Sequence, residues 1–312
     1  MKIYTDSSDY KKDKITIATV GTFDGVHKGH LNILDLMLER AKDVNGKSVL
    51  ITFNPHPRTV VSEEFKIKLL TTLDEKIELL EKLGIDEVFV INFTKDFSQL
   101  TYEEFIEQII VNKINASEVI IGHDHKFGRD RNGNENKLRE ISSDKNFKVT
   151  AVEAKKVEDE IVSSTKIRNA LTDGNVDLAN NYLGWNYYFS GQVVKGAERG
   201  RLLGFPTANI EVNDNNKLIP KSGVYAVKCY LKNKMLNGVM NIGNRPTFND
   251  TENRIIEIHL FDFADYIYGE SVKIEFVQRI RDERKFESKE KLIEQIALDK
   301  KSAEKILIKL TN

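Results

Sequence analysis

Two histidines three residues apart are the residues of this sequence best suited to chemistry. His27 and His30 belong to the string GTFDGVHKGH at residues 21–30, which follows an apolar run at residues 15–20. A buried strand that leads through a tight turn into a helix offers free backbone N–H groups and a positive dipole end to an anion. Both imidazoles then share one helix face and could donate to one phosphate. The pattern favours nucleotidyl transfer; half of a zinc site is the alternative.

The residues around this pair strengthen the phosphate interpretation. Glycines punctuate the turn, and the string ends in H-x-G-H, which resembles the signature of the nucleotidyltransferase superfamily. We therefore expect Gly21, Phe23 and Asp24 to belong to the same ATP site as the two histidines. The motif does not choose the acceptor of the nucleotidyl group.

Three further strings come at or near the ends of predicted elements in the first half. Asn54 begins N-P-H-P, in which two prolines stiffen the loop, although a loop with an incidental histidine is also open. Asp124 lies in a glycine-containing basic loop at residues 122–133, for which a solvated charge run is the alternative. Ser164, Thr165 and Arg168 resemble a second helix start, where hydroxyls either cap the helix or bind phosphate.

Oxygen-bearing side chains on predicted strands are the candidates in the second half. Thr207 and Asn209 are two residues apart, so they share a face of an extended segment and suit Mg²⁺ with ATP phosphates. A glycine-rich loop that includes Gly204 precedes them. Glu257 could act as the general base for an alcohol nucleophile. Periodicity alone favours ordinary solvent-facing residues at all three polar positions.

The elements that must position these residues alternate, in the first half, between strands and amphipathic helices. We predict strands at residues 15–20, 48–53, 87–91, 118–121 and 148–152, with helices at 30–45, 72–83, 102–113 and 137–145. This alternation indicates an α/β domain with a doubly wound, Rossmann-like parallel sheet and ligands at the carboxyl ends of its strands.

After about residue 185 the pattern changes to short strands separated by turn residues. Strands are predicted at 189–194, 208–212, 223–230, 238–242, 255–261 and 271–280, followed by a helix at 289–310. Strands without intervening helices indicate an antiparallel β-barrel or sandwich. The fold class is thus α/β plus β, and we place the domains at residues 1–186 and 187–312.

Composition and charge limit the partners and the cellular compartment that we expect for this chain. The chain has 312 residues, 47 basic and 48 acidic side chains and a net charge of −1, which gives no reason to expect a nucleic acid or an anionic membrane as partner. No apolar run reaches the length of a bilayer span, and the polar first 14 residues resemble a short lead-in strand or tail. The single cysteine, Cys229, fits buried filler in a cytoplasmic protein. Small-molecule substrates are expected, and a homo-oligomer stays open.

Nine strings in order along the chain resemble the family of bacterial bifunctional riboflavin kinase/FMN adenylyltransferases, also called FAD synthetases. They cover nearly the whole chain, and P-T-A-N is the most specific part. The strings are GTFDGVHKGH, FNPHP, GHDHKFGRDRNG, SSTKIR, GRLLGFPTANI, SGVYAV, NIGNRPTF, EIHLFDF and RDERKFES. The family often has an aromatic and an arginine where this chain has His125 and Lys126, and lysine cannot reproduce a bidentate arginine contact.

The resemblance implies two reactions. The first domain would join FMN to AMP from ATP, and the second would phosphorylate riboflavin from Mg-ATP. In the first domain His27 and His30 would stabilise the ATP phosphates. Ser164, Thr165 and Arg168 would hold the phosphate tail. Asn54 and Asp124 would lie near the flavin. In the second domain Thr207 and Asn209 would bind Mg-ATP, with Gly204 near ATP, and Glu257 would act as base. Arg279 and Arg281 are assigned to the flavin, although a solvated charge run is the default interpretation of these arginines.

Two other functions are alternatives to this pair of reactions. A different cytidylyl- or adenylyltransferase would carry H-x-G-H but has no reason to carry G-F-P-T-A-N and a β domain. The second domain could instead be a regulatory barrel that binds flavin or RNA without turnover. The balanced charge and the lack of a basic, aromatic platform disfavour RNA.

Overall fold

The chain forms two compact units, Met1–Ser164 and Thr165–Asn312. The computed structural model describes residues 1–6, 10–62, 67–123, 125–157, 159–196, 200, 203–244 and 254–309. None of the helices in these ranges is both long enough and apolar enough to span a membrane.

The first unit is built on a six-stranded sheet in which all neighbouring strands are parallel. The strand order is β1-β4-β3-β2-β5-β6. The strands are β1 (Lys2–Thr5), β2 (Thr16–Val20), β3 (Lys47–Asn54), β4 (Glu87–Asn92), β5 (Glu118–Gly122) and β6 (Lys148–Val152). The helices are α1 (Lys28–Asp43), α2 (Pro57–Val61), α3 (Leu73–Lys82), α4 (Tyr102–Phe105), which continues as a π-helix over Ile106–Ile114, and α5 (Glu135–Lys145).

Both faces of this sheet are covered, which explains why its central strands are rich in apolar residues. Every residue of β2 is buried. Ala18 and Val20 pack into the core on one face, and Ile17 packs into the core on the other. The predicted doubly wound sheet is confirmed. Strand β1 pairs in parallel with β4 at the sheet edge, so the polar amino terminus is a lead-in strand.

The second unit contains a closed antiparallel barrel. Its strands are β9 (Tyr188–Val194), β10 (Ala208–Val212), β11 (Gly223–Leu231), β12 (Lys234–Asn244), β13 (Arg254–Leu260) and β14 (Ser271–Arg281), in the order β10-β13-β12-β11-β14-β9. Helix α6 (Ser164–Asp173) starts at the last residue of the first unit, α7 (Val176–Leu183) follows, and α8 (Lys289–Ile308) closes the chain. The hairpin β7 (Lys156–Val157) and β8 (Glu160–Ile161) precedes α6. The predicted barrel and carboxy-terminal helix are confirmed.

Helix α8 packs on the outside of the barrel. Its Ala303 and Leu307 share a small core with barrel residues that include Val239 and Phe261. Asp299 of α8 is 3% exposed and accepts a bidentate pair of hydrogen bonds from Arg281 of β14, with N–O distances of 2.7–3.1 Å. The ion pair fixes the helix against the end of β14.

Candidate active sites

The turn between β2 and α1 is a strained loop held by buried side chains. Phe23 and Val26 have φ angles of 45° and 36°, in the left-handed region that non-glycine residues rarely adopt. Both side chains are almost fully buried, at 2% and 1% exposure. The carboxylate of Asp24 accepts from the backbone N–H groups of Leu70 and Thr71 at 2.9 and 3.0 Å. Packing and this anchor stabilise a conformation that the residues would not adopt alone.

The two histidines close a reciprocal capping box at the start of α1. The N–H of His30 donates to Nδ1 of His27 at 3.4 Å, and the N–H of His27 donates to Nδ1 of His30 at 3.3 Å. Because each Nδ1 accepts a hydrogen bond, a neutral ring must carry its proton on Nε2. The box therefore favours the Nε2–H tautomer in both rings, and donation from either Nε2–H to a ligand stays a prediction. The sequence indicated the shared helix face but not this tautomer.

The rings of this pair are stacked, and the stacking explains one glycine. The ring centroids lie 3.6 Å apart with planes 14° from parallel. A Cβ atom at Gly29 would lie 3.1 Å from Cε1 of His27, so a side chain there would displace the ring. Glycine at the third position of H-x-G-H thus permits the stacked arrangement.

The environment of His30 favours its neutral form. Burial lowers the pKa of His30 well below its ordinary value, and the charges of His27 and Lys76 lower it further. Protonation of Nδ1 would also set two N–H groups against each other in the capping box. At neutral pH His30 is consequently uncharged and keeps its proton on Nε2.

Lys76 of α3 lies beside this turn, and sequence analysis missed it. Its Nζ donates to the backbone oxygen of Thr22 at 2.7 Å and to Oγ1 of Thr52 at 3.1 Å. The signal was available: Leu73, Lys76 and Leu80 have the spacing of one helix face. Leu80 is fully buried, and Lys76, which precedes it by four residues on the same helix face, is also buried.

The segment before α6 approaches the same turn. Ser164 Oγ donates to the backbone oxygen of Asp24 at 2.9 Å. The backbone oxygen of Val162 lies 3.5 Å from the place where a Cβ of Gly29 would be. The start of the string at 162–168 is thus next to the H-x-G-H turn. Thr165 and Arg168 begin the second unit on α6, and their assignment to the phosphate tail stays a prediction.

The other residues assigned to the first site are placed as follows. Gly21 follows β2, and its N–H donates to the oxygen of Ile51 in β3 at 3.0 Å. Asn54 is the exposed last residue of β3, followed by a cis peptide bond to Pro55. Asp124 lies outside the described residues. The carboxylate of Asp24 is used within the fold, so any contact of Asp24 with ATP stays a prediction.

In the second unit three polar side chains form a row across neighbouring barrel strands. Glu257 of β13 lies directly opposite Asn209 of β10 on one side and Asn241 of β12 on the other. Directly opposed residues have Cβ atoms about 5 Å apart. Val239, two residues before Asn241, packs under α8, so the row lies on the outer face of the barrel. The sequence indicated Asn209 and Glu257 but not their alignment or Asn241.

Two glycines before β10, Gly196 and Gly200, lie close to Asn209 and Thr207. A Cβ at Gly196 would overlap the side-chain amide of Asn209, and one at Gly200 would lie 2.8 Å from Oγ1 of Thr207. Gly204 has a φ of 81°, which glycine adopts without strain. Gly196 and Gly200 therefore lie against the two residues that the sequence predicts to bind the metal and the ATP phosphates.

The donor set at this face fits a magnesium ion. Thr207, Asn209 and Glu257 supply hydroxyl, amide and carboxylate oxygens, the hard ligands that Mg²⁺ prefers. Mg²⁺ with ATP takes only one or two protein ligands and completes its shell with phosphates and water. Within the described ranges there is no cluster of three His, Cys, Asp or Glu residues, so an all-protein metal cage is not offered there.

The two arginines assigned to the flavin have fixed partners inside the second unit. Arg279 donates to the backbone oxygen of Ser222 at 2.7 Å, to Asp282 at 2.8 Å and to the Tyr225 hydroxyl at 3.3 Å. Arg281 is paired with Asp299 as described above. These contacts give both side chains a structural role, and flavin binding by either stays a prediction.

Cys229 has the role expected for it. The side chain is 1% exposed on β11, and burial raises the pKa of its thiol to about 12. A thiol held in its protonated form is a poor nucleophile, so Cys229 packs rather than reacts.

Comparisons with known proteins cover both units. The family model for FAD synthetase matches residues 9–166, and the model for riboflavin kinase matches residues 183–307. A bifunctional riboflavin kinase/FMN adenylyltransferase of Bacillus subtilis is 39% identical over 293 residues, with 92% of this chain and 91% of the relative covered. The proteins of that name in Haemophilus influenzae and Escherichia coli K12 are 39% identical over 286 residues and 35% over 288, with 91–92% of each chain covered.

A solved structure from Streptococcus pneumoniae has the same fold. It is described as a macrolide-efflux protein and is 30% identical, with a TM-score of 0.90 and coverage of 97% of this chain and 99% of its own. The similarity extends across both units, and the efflux description belongs to that protein alone.

Proposed function

The chain belongs to the family of bifunctional riboflavin kinase/FMN adenylyltransferases, and on that premise we propose which of its residues perform each reaction. The enzyme phosphorylates riboflavin with ATP to give FMN, then joins FMN to AMP from a second ATP, which yields FAD and pyrophosphate. We assign adenylylation to residues 1–186 and the kinase to residues 187–312. The substrates are small molecules, and we propose that the enzyme works in the cytoplasm without a nucleic-acid or membrane partner.

In adenylylation the histidine pair acts as a double hydrogen-bond donor. An oxygen of the FMN phosphate attacks the α-phosphorus of ATP, and the bond to the bridging oxygen breaks as pyrophosphate leaves. His27 and His30 donate from Nε2 to phosphate oxygens on which negative charge increases in the transition state. Ser164, Thr165 and Arg168 hold the phosphate tail. No protein nucleophile is needed, because positioning and charge stabilisation are sufficient.

In the kinase reaction the outer face of the barrel positions the alcohol and the nucleotide. The ribityl hydroxyl of riboflavin attacks the γ-phosphorus of ATP, and the bond from that phosphorus to the bridging oxygen breaks as ADP leaves. Glu257 takes the hydroxyl proton. Thr207 and Asn209 would hold Mg²⁺, which neutralises phosphate charge when bound. The alignment of Asn209 with Glu257 on adjacent strands supports a nucleotide and a base at one place.

One observation supports the proposal: the capping box favours the Nε2–H tautomers of His27 and His30, which would donate to an anion at the start of α1. The test supplies each step with its own substrate, riboflavin for the first and FMN for the second. Glu257→Gln should slow FMN formation by about 10²–10⁴-fold and leave FAD formation from FMN unchanged. His30→Ala should do the reverse.

One control variant makes the outcome decisive. Glu211→Gln changes an exposed carboxylate on β10, two residues from Asn209, and should leave both steps unchanged. If Glu257→Gln and His30→Ala both left their assigned steps intact, the residue assignments would be wrong even though the family stands.

A further inference from the structure

Lys76 is a buried cation in a position where an apolar residue would ordinarily pack. It lies on the inward face of α3, and only 6% of it is exposed. Burial of an ammonium group costs free energy unless partners compensate for the lost water. Lysine is therefore rarely buried without a specific task.

The contacts of this lysine join the two strand ends that flank the histidine turn. Its Nζ binds the backbone oxygen of Thr22, the second residue of the turn, and Oγ1 of Thr52 near the end of β3. Thr52 Oγ1 in turn donates to the oxygen of Thr22 at 3.3 Å. Lys76 thus fixes the entry of the turn to β3. Among the described residues it has two hydrogen-bond acceptors for three N–H donors.

The charges around Lys76 come from three elements. Asp24 in the turn attracts it, although the Asp24 carboxylate bonds to residues 70 and 71 rather than to Nζ. His30 of α1 is close enough to interact with it electrostatically, and Glu75 is its neighbour on α3. Burial lowers the pKa of Lys76 to about 8, which the attraction of Asp24 opposes. The charge of Lys76 also contributes to the lowered pKa of His30.

We propose that Lys76 is a positioning residue for adenylylation, which holds the histidine turn through Thr22 and Thr52 and places a positive charge beside His30. The proposal rests on the assigned role of the two histidines. The charge has two effects. It attracts the triphosphate to this side of the pair, and it disfavours the imidazolium form of His30, which would break the capping box.

The test follows kcat/KM of FAD formation from FMN and ATP as a function of pH, because that ratio reports groups of the free enzyme. In the wild type we expect the ratio to fall above about pH 8 as Lys76 loses its proton. Lys76→Arg keeps the charge at all these pH values, since arginine does not deprotonate. This variant should keep activity and lose the alkaline fall.

Lys76→Met keeps the length of the side chain but removes the charge and both hydrogen bonds. We expect kcat/KM to fall about 100-fold, the effect of a small displacement of positioned groups. The acidic limb of the profile should move to higher pH, because the pKa of His30 rises when a neighbouring positive charge is removed. Riboflavin phosphorylation by the same sample should be unchanged. Thr52→Val, which removes one partner of Nζ, should give a smaller loss of the same kind.

Two results would overturn the proposal. One is a wild-type pH profile in Lys76→Met; the other is an alkaline fall retained in Lys76→Arg. If Lys76 had only a structural role, its replacement would lower stability without moving either limb of the pH profile. Thermal unfolding by circular dichroism is therefore recorded for each variant. Should Lys76→Met fail to fold, the arginine profile decides alone. If His30→Ala abolishes adenylylation while Lys76→Met does not, only this inference fails; if His30→Ala is also active, the assigned function of the histidines fails.

Discussion

Replacement of His27 by asparagine and by glutamine separates the two tasks of this side chain. Its Nδ1 caps α1, and its Nε2–H is the donor that we assign to a phosphate oxygen. The side-chain oxygen of asparagine lies as far along the chain as Nδ1 and is a favoured cap. The amide nitrogen of glutamine reaches about as far as Nε2 but leaves the cap without its acceptor.

The two variants should rank in opposite order in the two assays: His27→Asn loses more activity, and His27→Gln loses more stability. His27→Asn should keep the stability of the first unit and lower kcat of adenylylation by about 10²–10³-fold, the effect of one donor lost from a developing anion. His27→Gln should lower stability by about 1 kcal/mol, the value of an N-cap, and lose less activity than asparagine does.

The assay supplies FMN and saturating ATP and measures FAD and pyrophosphate, with the kinase step of the same sample as internal control. Urea unfolding followed by circular dichroism gives the stability of each variant. Wild-type adenylylation in His27→Asn would refute the donor role of Nε2. Activity losses that merely follow stability would show that capping is the only task of His27.

Three more predictions concern two buried carboxylates and the magnesium ion. Asp24→Ala leaves two buried N–H groups, one of them on Thr71, without an acceptor, so urea unfolding should show about 2–6 kcal/mol less stability. Asp299→Ala leaves Arg281 without its buried partner and should destabilise the second unit by about 3–5 kcal/mol, measured the same way. Asn209→Ala should raise the Mg²⁺ concentration for half-maximal kinase rate at least about tenfold, and magnesium titration of FMN formation measures this.

Local patterns explain how much of the fold was predictable. The apolar strand, glycine turn and amphipathic helix at residues 16–43 follow one another in sequence, so β2, its turn and α1 were predicted in place. The barrel strands were predicted because turn residues separate them, and their bounds differ from the prediction by a few residues at most. The break of the helix at 102–113 into α4 and a π-helix had no signal in the periodicity.

The candidate sites were less predictable because contacts between residues far apart in the sequence decide what each side chain binds. Asp24 was assigned to ATP from its place in the motif, yet its carboxylate bonds to the backbone 46 and 47 residues away. Arg281 was assigned to the flavin, and its partner Asp299 is on a different element. The opposition of Asn209 and Glu257 depends on the register in which the barrel closes. Such register cannot be read from either strand alone.

The central claim is that each unit holds its own nucleotide, the first through histidine donors and the second through an oxygen-rich edge. A crystal structure with a nonhydrolysable ATP analogue and Mg²⁺ tests it most directly. We predict one analogue with phosphate oxygens within hydrogen-bond distance of Nε2 of His27 and His30, and another with its metal bound by Thr207 and Asn209. Imidazoles turned away from the phosphates, or a second unit without nucleotide under saturating conditions, would contradict the account.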